Sequence, residues 1–430
     1  MAHDADRDRR SLLTSTLGTV KLGRRKPEQS VEEQFSDEVI VLCRELLGAR
    51  AKRRSDFALE IARPDGRAIT MNLQNVFLEA QSSSGEERAM RLRTAVLAMA
   101  PQPRPATWDV AASKLLPAVR AVSWKAAASA ASSVQALHRP FLPYLDLMYA
   151  IDFENAMTYV TESDLRAWKV DQNEVAMLSC NNLLEKPMSI GIAGPLRLVV
   201  GPDGYTSSWL ATPEALRRVA HDLGDEVIAV APSRDQLRLL PLDDVDLVVS
   251  ELRNAEEDYQ KEARRLSPVP YLIGVDDLIP WVPSADHPAR IPVERAHALL
   301  AMFEYEQQRL VLQDLFTKVG DDVFVAQFSL IQREDGSVWS WAVCPKQVSA
   351  GLVPRVDVLL FGDNDNADAK FAVRWDDAMA LAGDALQPEP GYEPLRWRYR
   401  GWPDDTTVVN LRERSVRFPP KAEELPPRLT

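Results

Sequence analysis

At 430 residues the chain is too long for one compact core, so two domains are expected. Hydrophobic residues at 46% and charged residues at 27% suit a globular protein. The net charge of -12 argues against broad binding to nucleic acid or anionic membranes, whose phosphates would meet a repulsive field.

Cys43, Cys180 and Cys344 are far apart and odd in number, which offers neither metal-ligand spacing nor a disulfide framework. The opening MAHDADRDRRSLL lacks the apolar segment of a secretory signal. No apolar run approaches the roughly 20 residues that cross a bilayer. A reduced, cytoplasmic setting is expected.

In chain order, residues 1–30, with the basic cluster KLGRRKP, read as a solvated tail. VEEQFSDEVIVLCRELLG is a helix, and FALEIARPDGRAITMNL a hairpin turning at Pro64-Asp65-Gly66. Alanine-rich helical segments then lead to strands LDLMYAIDF and MTYVT. YVTESDLRAWKVDQNEVAMLSCNNLL, residues 159–184, reads as two short helices with a tight turn. Thr161 with Asp164 makes a capping box for the first; Asp171 with Glu174 caps the second, and Val170 with Val175 forms its hydrophobic staple.

Next, LRLVVGPDGYTSSWL reads as a second hairpin, TPEALRRVAHDLG as a helix, and EVIAVAPSRDQLRLLPL as two strands around a Pro-Ser-Arg-Asp turn. LDDVDLVVSELRNAEEDYQKEARRL carries an apolar stripe from Val245 to Leu266 behind Asp243 and Asp244, the pattern of one long packed helix. Pro268, Pro270, Pro280, Pro283, Pro288 and Pro292 exclude a long helix or a central strand, so residues 268–292 are expected to connect two domains. Beyond them a helix runs from Pro292 to Gly320, and DVFVAQFSLIQREDGSVWSWAV folds back at Glu334-Asp335-Gly336. RVDVLLFG and KFAVRW continue that antiparallel sheet, RWRYRGWPDD reads as an edge strand with solvated arginines, and residues 415–430 as a loose tail.

Helices and strands mix without a regular βαβ period. The expected fold is therefore α+β in two domains, 31–267 and 293–414, each a mixed or antiparallel sheet covered by helices.

Several of these elements together resemble the YtpQ-like family of bacterial proteins over roughly residues 55–245. They are LLPAVRAVSW, YAIDFENAMTYVTESDLRAWKVDQNEVAMLSCNNLL, GPDGYTSSWL and IAVAPSRDQLRLL. The resemblance implies a soluble cytoplasmic fold and names no reaction. It singles out Arg120, Asp152, Asn181, Asp203, Tyr205, Ser208 and Asp235, polar residues at strand ends, turns and a helix terminus, where a ligand or partner site can form.

Signatures of known chemistry are missing. There is no Gly-rich phosphate loop ending in Lys-Ser/Thr, no G-x-G-x-x-G, no H-E-x-x-H and no G-x-S-x-G. DNDNADAKFAVR fails as a calcium loop because Asp368 replaces the needed glycine and Arg374 the bidentate Glu. No cofactor or metal is therefore expected. The helix pair is unsuited to DNA, with four acids, Asp164, Asp171, Glu174 and Glu185, against three bases between residues 163 and 186. The expected function is a non-enzymatic protein-binding or scaffold protein. The alternative is a hydrolase of small or acyl substrates acting through that polar cluster. A triad built on Ser208 and His221 is disfavoured, because Asp222, adjacent to His221 on a helix, points away from it and a partner such as Asp235 would be needed.

Overall fold

The computed structural model describes residues 30–55, 57–62, 68–81, 83–100, 104–125, 136–153, 156–202, 204–362 and 370–418. The Pro64-Asp65-Gly66 turn, Asp203, residues 363–369 of the calcium-like run and most of both tails lie outside them. The chain is an α+β protein with five sheets among the described residues. Their strand pairs are antiparallel except for two.

Helix boundaries follow local chemistry. Ser30 and Glu33 close a capping box on Val31–Leu47, which stops at Gly48 in the left-handed region. This helix packs with a three-stranded sheet, Ala51–Ser55, Ala58–Ala62 and Ala68–Asn72, around Phe35, Val39, Leu59, Ile61 and Phe77. The helix pair forms as read from its caps. The Thr161 side chain accepts from the Asp164 amide, the Asp164 carboxylate accepts from the Thr161 amide at 2.8 Å, and Asp171 accepts from the Glu174 amide at 2.9 Å. The return bond expected from Glu174 to Asp171 is not made.

Two larger sheets meet in the middle of the chain. One joins Leu115–Ala121, Leu145–Phe153, His138–Leu142 and Ala156–Tyr159. The other has six strands, in the order Leu278–Pro280, Arg265–Ile273, Val227–Ser233, Leu237–Pro241, Leu196–Val200 and Ser189–Ala193. Both contribute to one hydrophobic cluster that includes Leu147, Tyr149, Trp209, Leu239 and Tyr271.

Here the proline argument fails. Arg265–Ile273 is an interior strand containing Pro268 and Pro270. Pairing runs from Val230–Pro270 directly to Ala231–Ser267, so Pro268 falls in a bulge where no ladder bond is required of it. Ser267 Oγ accepts from the Val269 amide inside the bulge. The preceding helix also stops earlier than its stripe suggested, at Lys261, which frees Leu266 for this strand.

A second correction concerns residues 196–210. Leu196–Val200 pairs with Ser189–Ala193, and the expected second strand is instead a buried 3-10 turn, Thr206–Ala211. The turn is tied down by the Ser207 amide donating to Arg234 O at 2.9 Å and by Thr206 Oγ1 accepting from the Gly201 amide at 3.2 Å.

Beyond the helix Arg290–Val319 lie a five-stranded and a four-stranded sheet. They are not wholly antiparallel. Val338–Pro345 and Val358–Gly362 run parallel, because the chain crosses between them through Gly351–Pro354 in the other sheet. Arg396–Tyr399 is an interior strand rather than an edge, and Arg396 is fully buried. Ser415–Val416 pairs with Phe371–Arg374, so the start of the expected tail belongs to the fold.

Candidate functional site

The floor of the candidate site is the four-stranded sheet. Arg120 lies opposite Asp146, Met157 opposite Asp152 and Tyr159 opposite Ala150. Strand alternation puts all of these on one face, while Leu147, Tyr149 and Ile151 take the other. The Thr206–Ala211 turn packs on strand Leu115–Ala121 and carries Tyr205 to the edge of this face.

Four of the singled-out residues meet there. Tyr205 donates its hydroxyl to Asp152 Oδ1 at 3.1 Å. Burial raises the pKa of both, and the Asp152 charge raises that of Tyr205 further. Arg120, 1% exposed, donates to Tyr159 OH at 2.9 Å, to Val119 O at 2.8 Å and to Met157 Sδ at 3.6 Å. Asp235 Oδ1 accepts from the Gly204 amide at 3.1 Å, and Gly204 has φ +74°, a conformation that suits glycine.

The others do not join them. Asp203 is outside the described residues. Asn181 is exposed, and its neighbour Asn182 does the anchoring, donating to Ala112 O at 2.7 Å and Leu115 O at 2.9 Å. Ser208 is fully buried and its Oγ has no hydrogen-bond partner. A serine nucleophile needs a base within about 3 Å, whereas His221 Nδ1 sits 2.9 Å from Arg218 O and Asp222 pairs with Arg197 at 2.7 Å. The Ser208–His221 pairing is not formed.

Residues missed from the sequence complete the junction. Arg234 precedes Asp235 in the Pro-Ser-Arg-Asp turn; its Nε is sealed from solvent and makes no hydrogen bond, though the residue as a whole keeps some exposure. Burial, and then the charge of Arg120, push its pKa down to about 10. Trp124 packs edge-on against Tyr159, ring centroids 4.6 Å apart. An arginine inside a short polar turn between two apolar strands was the available signal.

A second polar group occupies the same sheet face. Lys125 pairs with buried Asp146 at 2.7 Å and also with Glu393. Ligand atoms of His138, Asp146 and Glu393 lie within 4.8 Å of one another, and the Lys125 ammonium already supplies a positive charge to both carboxylates. Glu304 accepts from the Ser123 amide at 2.9 Å nearby; burial pushes its pKa up to about 7, and the Asp146 charge adds to the rise. This group joins residues more than 260 positions apart, so no local pattern could have announced it.

A cleft of about 660 Å³ lies elsewhere, between Arg197, Asp222 and Asp244, and includes none of these residues. Comparisons of the chain with protein-family models, curated proteins and solved structures found no match.

Proposed function

We propose that the protein is a non-catalytic protein-binding or scaffold protein, working in the cytoplasm, that accepts an extended segment of its partner on the free edge of the six-stranded sheet. The observation that carries this reading is the strand Ser189–Ala193. It is the outermost strand of its sheet and has neither charge nor proline, the devices that normally block an edge. Ile192 is 71% exposed, and Val200 on the adjacent strand is also exposed. Main-chain pairing along such an edge gives affinity, and alternate side chains give selectivity. The polar junction supports the non-catalytic side of the reading, because Asp152, Tyr205 and Asp235 are committed to one another or to backbone and Ser208 has no base. Among the described residues no helix is long and apolar enough to cross a membrane. The likeness to the YtpQ-like family belongs to the same proposal.

The test is affinity capture from the native cell extract with wild type and Ile192→Lys, followed by hydrogen exchange on the purified complex. The expected result is a partner that protects amides 189–193 and is lost from the folded variant. Equal capture by Ile192→Lys sinks the proposal, as does ester or amide turnover that disappears in Ser208→Ala.

A further inference from the structure

Asp146 is a carboxylate that the fold encloses almost completely, 1% exposed, without giving it a full set of donors. Lys125 reaches its Oδ2 as an ion pair at 2.7 Å, and Oδ1 accepts from nothing among the described residues. A buried carboxylate left with open lone pairs is costly to fold. Burial raises its pKa despite the ammonium beside it, so that single cation only partly offsets the lost water.

Two further side chains with ligand atoms converge on Asp146. His138 pairs with Met148 and Asp146 with Pro140 along neighbouring antiparallel strands, so His138 and Asp146 share one face as diagonal neighbours. Glu393 arrives from the loop between strands Leu386–Glu389 and Arg396–Tyr399. One ligand atom from each of the three lies within 4.8 Å of the other two. Ligands sharing a tetrahedral zinc ion stand about 3.3 Å apart, and Glu393, with its side chain 48% exposed, has the freedom to close that gap. His138 is oriented as metal-binding histidines are. Its Nδ1 sits 3.0 Å from Ala136 O, which places the ring proton there and leaves the lone pair on Nε2.

We propose that His138, Asp146 and Glu393 form a binding site for a divalent transition-metal ion, with Lys125 as the cation that takes its place when no metal is bound. The donor set selects the ion: an imidazole favours zinc and its neighbours over magnesium and calcium, which take oxygen. The charges agree. Two carboxylates against one ammonium leave a net charge of -1, whereas a divalent ion matches both, and Lys125 can turn its ammonium out to water. The ion fastens the loop that carries Glu393 to the central sheet. This site is independent of the sheet edge proposed for the protein partner, on which none of its residues lies.

Binding is tested on the chelator-treated full chain by calorimetry with zinc chloride and magnesium chloride, beside variants whose folding is checked by far-ultraviolet circular dichroism. Wild type is expected to bind zinc with a Kd below about 100 μM, and magnesium at least about tenfold more weakly. Lys125→Gln removes the competing cation and is expected to tighten zinc by about tenfold or more. Its melting temperature is then expected to rise with added zinc more than that of wild type. His138→Asn is expected to lose one zinc ion relative to wild type. The proposal is overturned if zinc saturates neither wild type nor Lys125→Gln, if magnesium binds as tightly, or if folded His138→Asn binds zinc like wild type. A folded Lys125→Gln chain that takes up zinc no more tightly than wild type overturns it as well.

Discussion

Glu304 is a buried acid with another acid for a neighbour, and burial first and then that charge favour its protonated form over the pull of the Ser123 amide that donates to it. Its ordinary pKa is 4.5 and its folded value about 7. Between these values the folded chain holds a proton that the unfolded chain has released, so this group's contribution to stability is complete below about pH 4.5 and is lost as pH rises through 7. The full swing is about 3 kcal/mol. Glu304→Gln keeps an acceptor for the Ser123 amide and cannot ionise. Denaturant melts at pH 5 and pH 8 are therefore expected to show a smaller loss of stability with pH in the variant; equal slopes would refute the assignment. Nothing in LLAMFEYEQQRL marks Glu304 as different from Glu306, because burial comes from Ser123 and Asp146, brought in from well over a hundred residues away.

At the scale of elements, whatever depends on neighbours within a few residues was legible. The caps of the helix pair follow from side chains three positions apart, and Asp171 does cap the second helix, with its carboxylate 2.9 Å from the Glu174 amide. Asp171→Ala is expected to cost about 1 kcal/mol of stability while leaving partner capture unchanged, as measured by denaturant unfolding beside the capture assay. What required a second element was misread. Pro268 and Pro270 looked like a break because the bulge that accommodates Pro268 exists only against Val230 and Ala231. GPDGYTSSWL looked like a hairpin, yet its second half is held as a 3-10 turn by Arg234 O and Thr206 Oγ1. In the candidate site, Arg120, Asp152, Tyr205 and Asp235 are singled out by the resemblance to the YtpQ-like family, as polar residues at strand ends and turns. Arg234 was passed over, since an arginine in a turn is ordinarily solvated.

Across the whole molecule, buried side chains fall into clusters with different ranges along the chain. Phe35 to Val96 close one cluster among themselves. The helix Arg290–Val319 serves four others, among them the central cluster, which takes Ala296 and Leu300, and the large C-terminal one, which takes Ala301 and Tyr305. A rigid helix packed into several cores ties their opening together, whereas residues 30–100 meet the rest through contacts such as the exposed Arg264–Glu79 pair at 2.7 Å. Native-state hydrogen exchange is expected to show 30–100 opening at lower free energy than the strands of the central sheets. Matching protection throughout would mean that the clusters unfold as one.

The sequence by itself determined the α+β class, the helix caps and most element positions, because these rest on propensity, periodicity and hydrogen bonds within one turn. Only the tertiary structure decided which polar residues are buried, which strands lie inside a sheet and which charges lack a partner. Those properties arise from groups far apart in the chain excluding water from one another. For the same reason the buried Glu304 and the open sheet edge became visible only once the chain had folded.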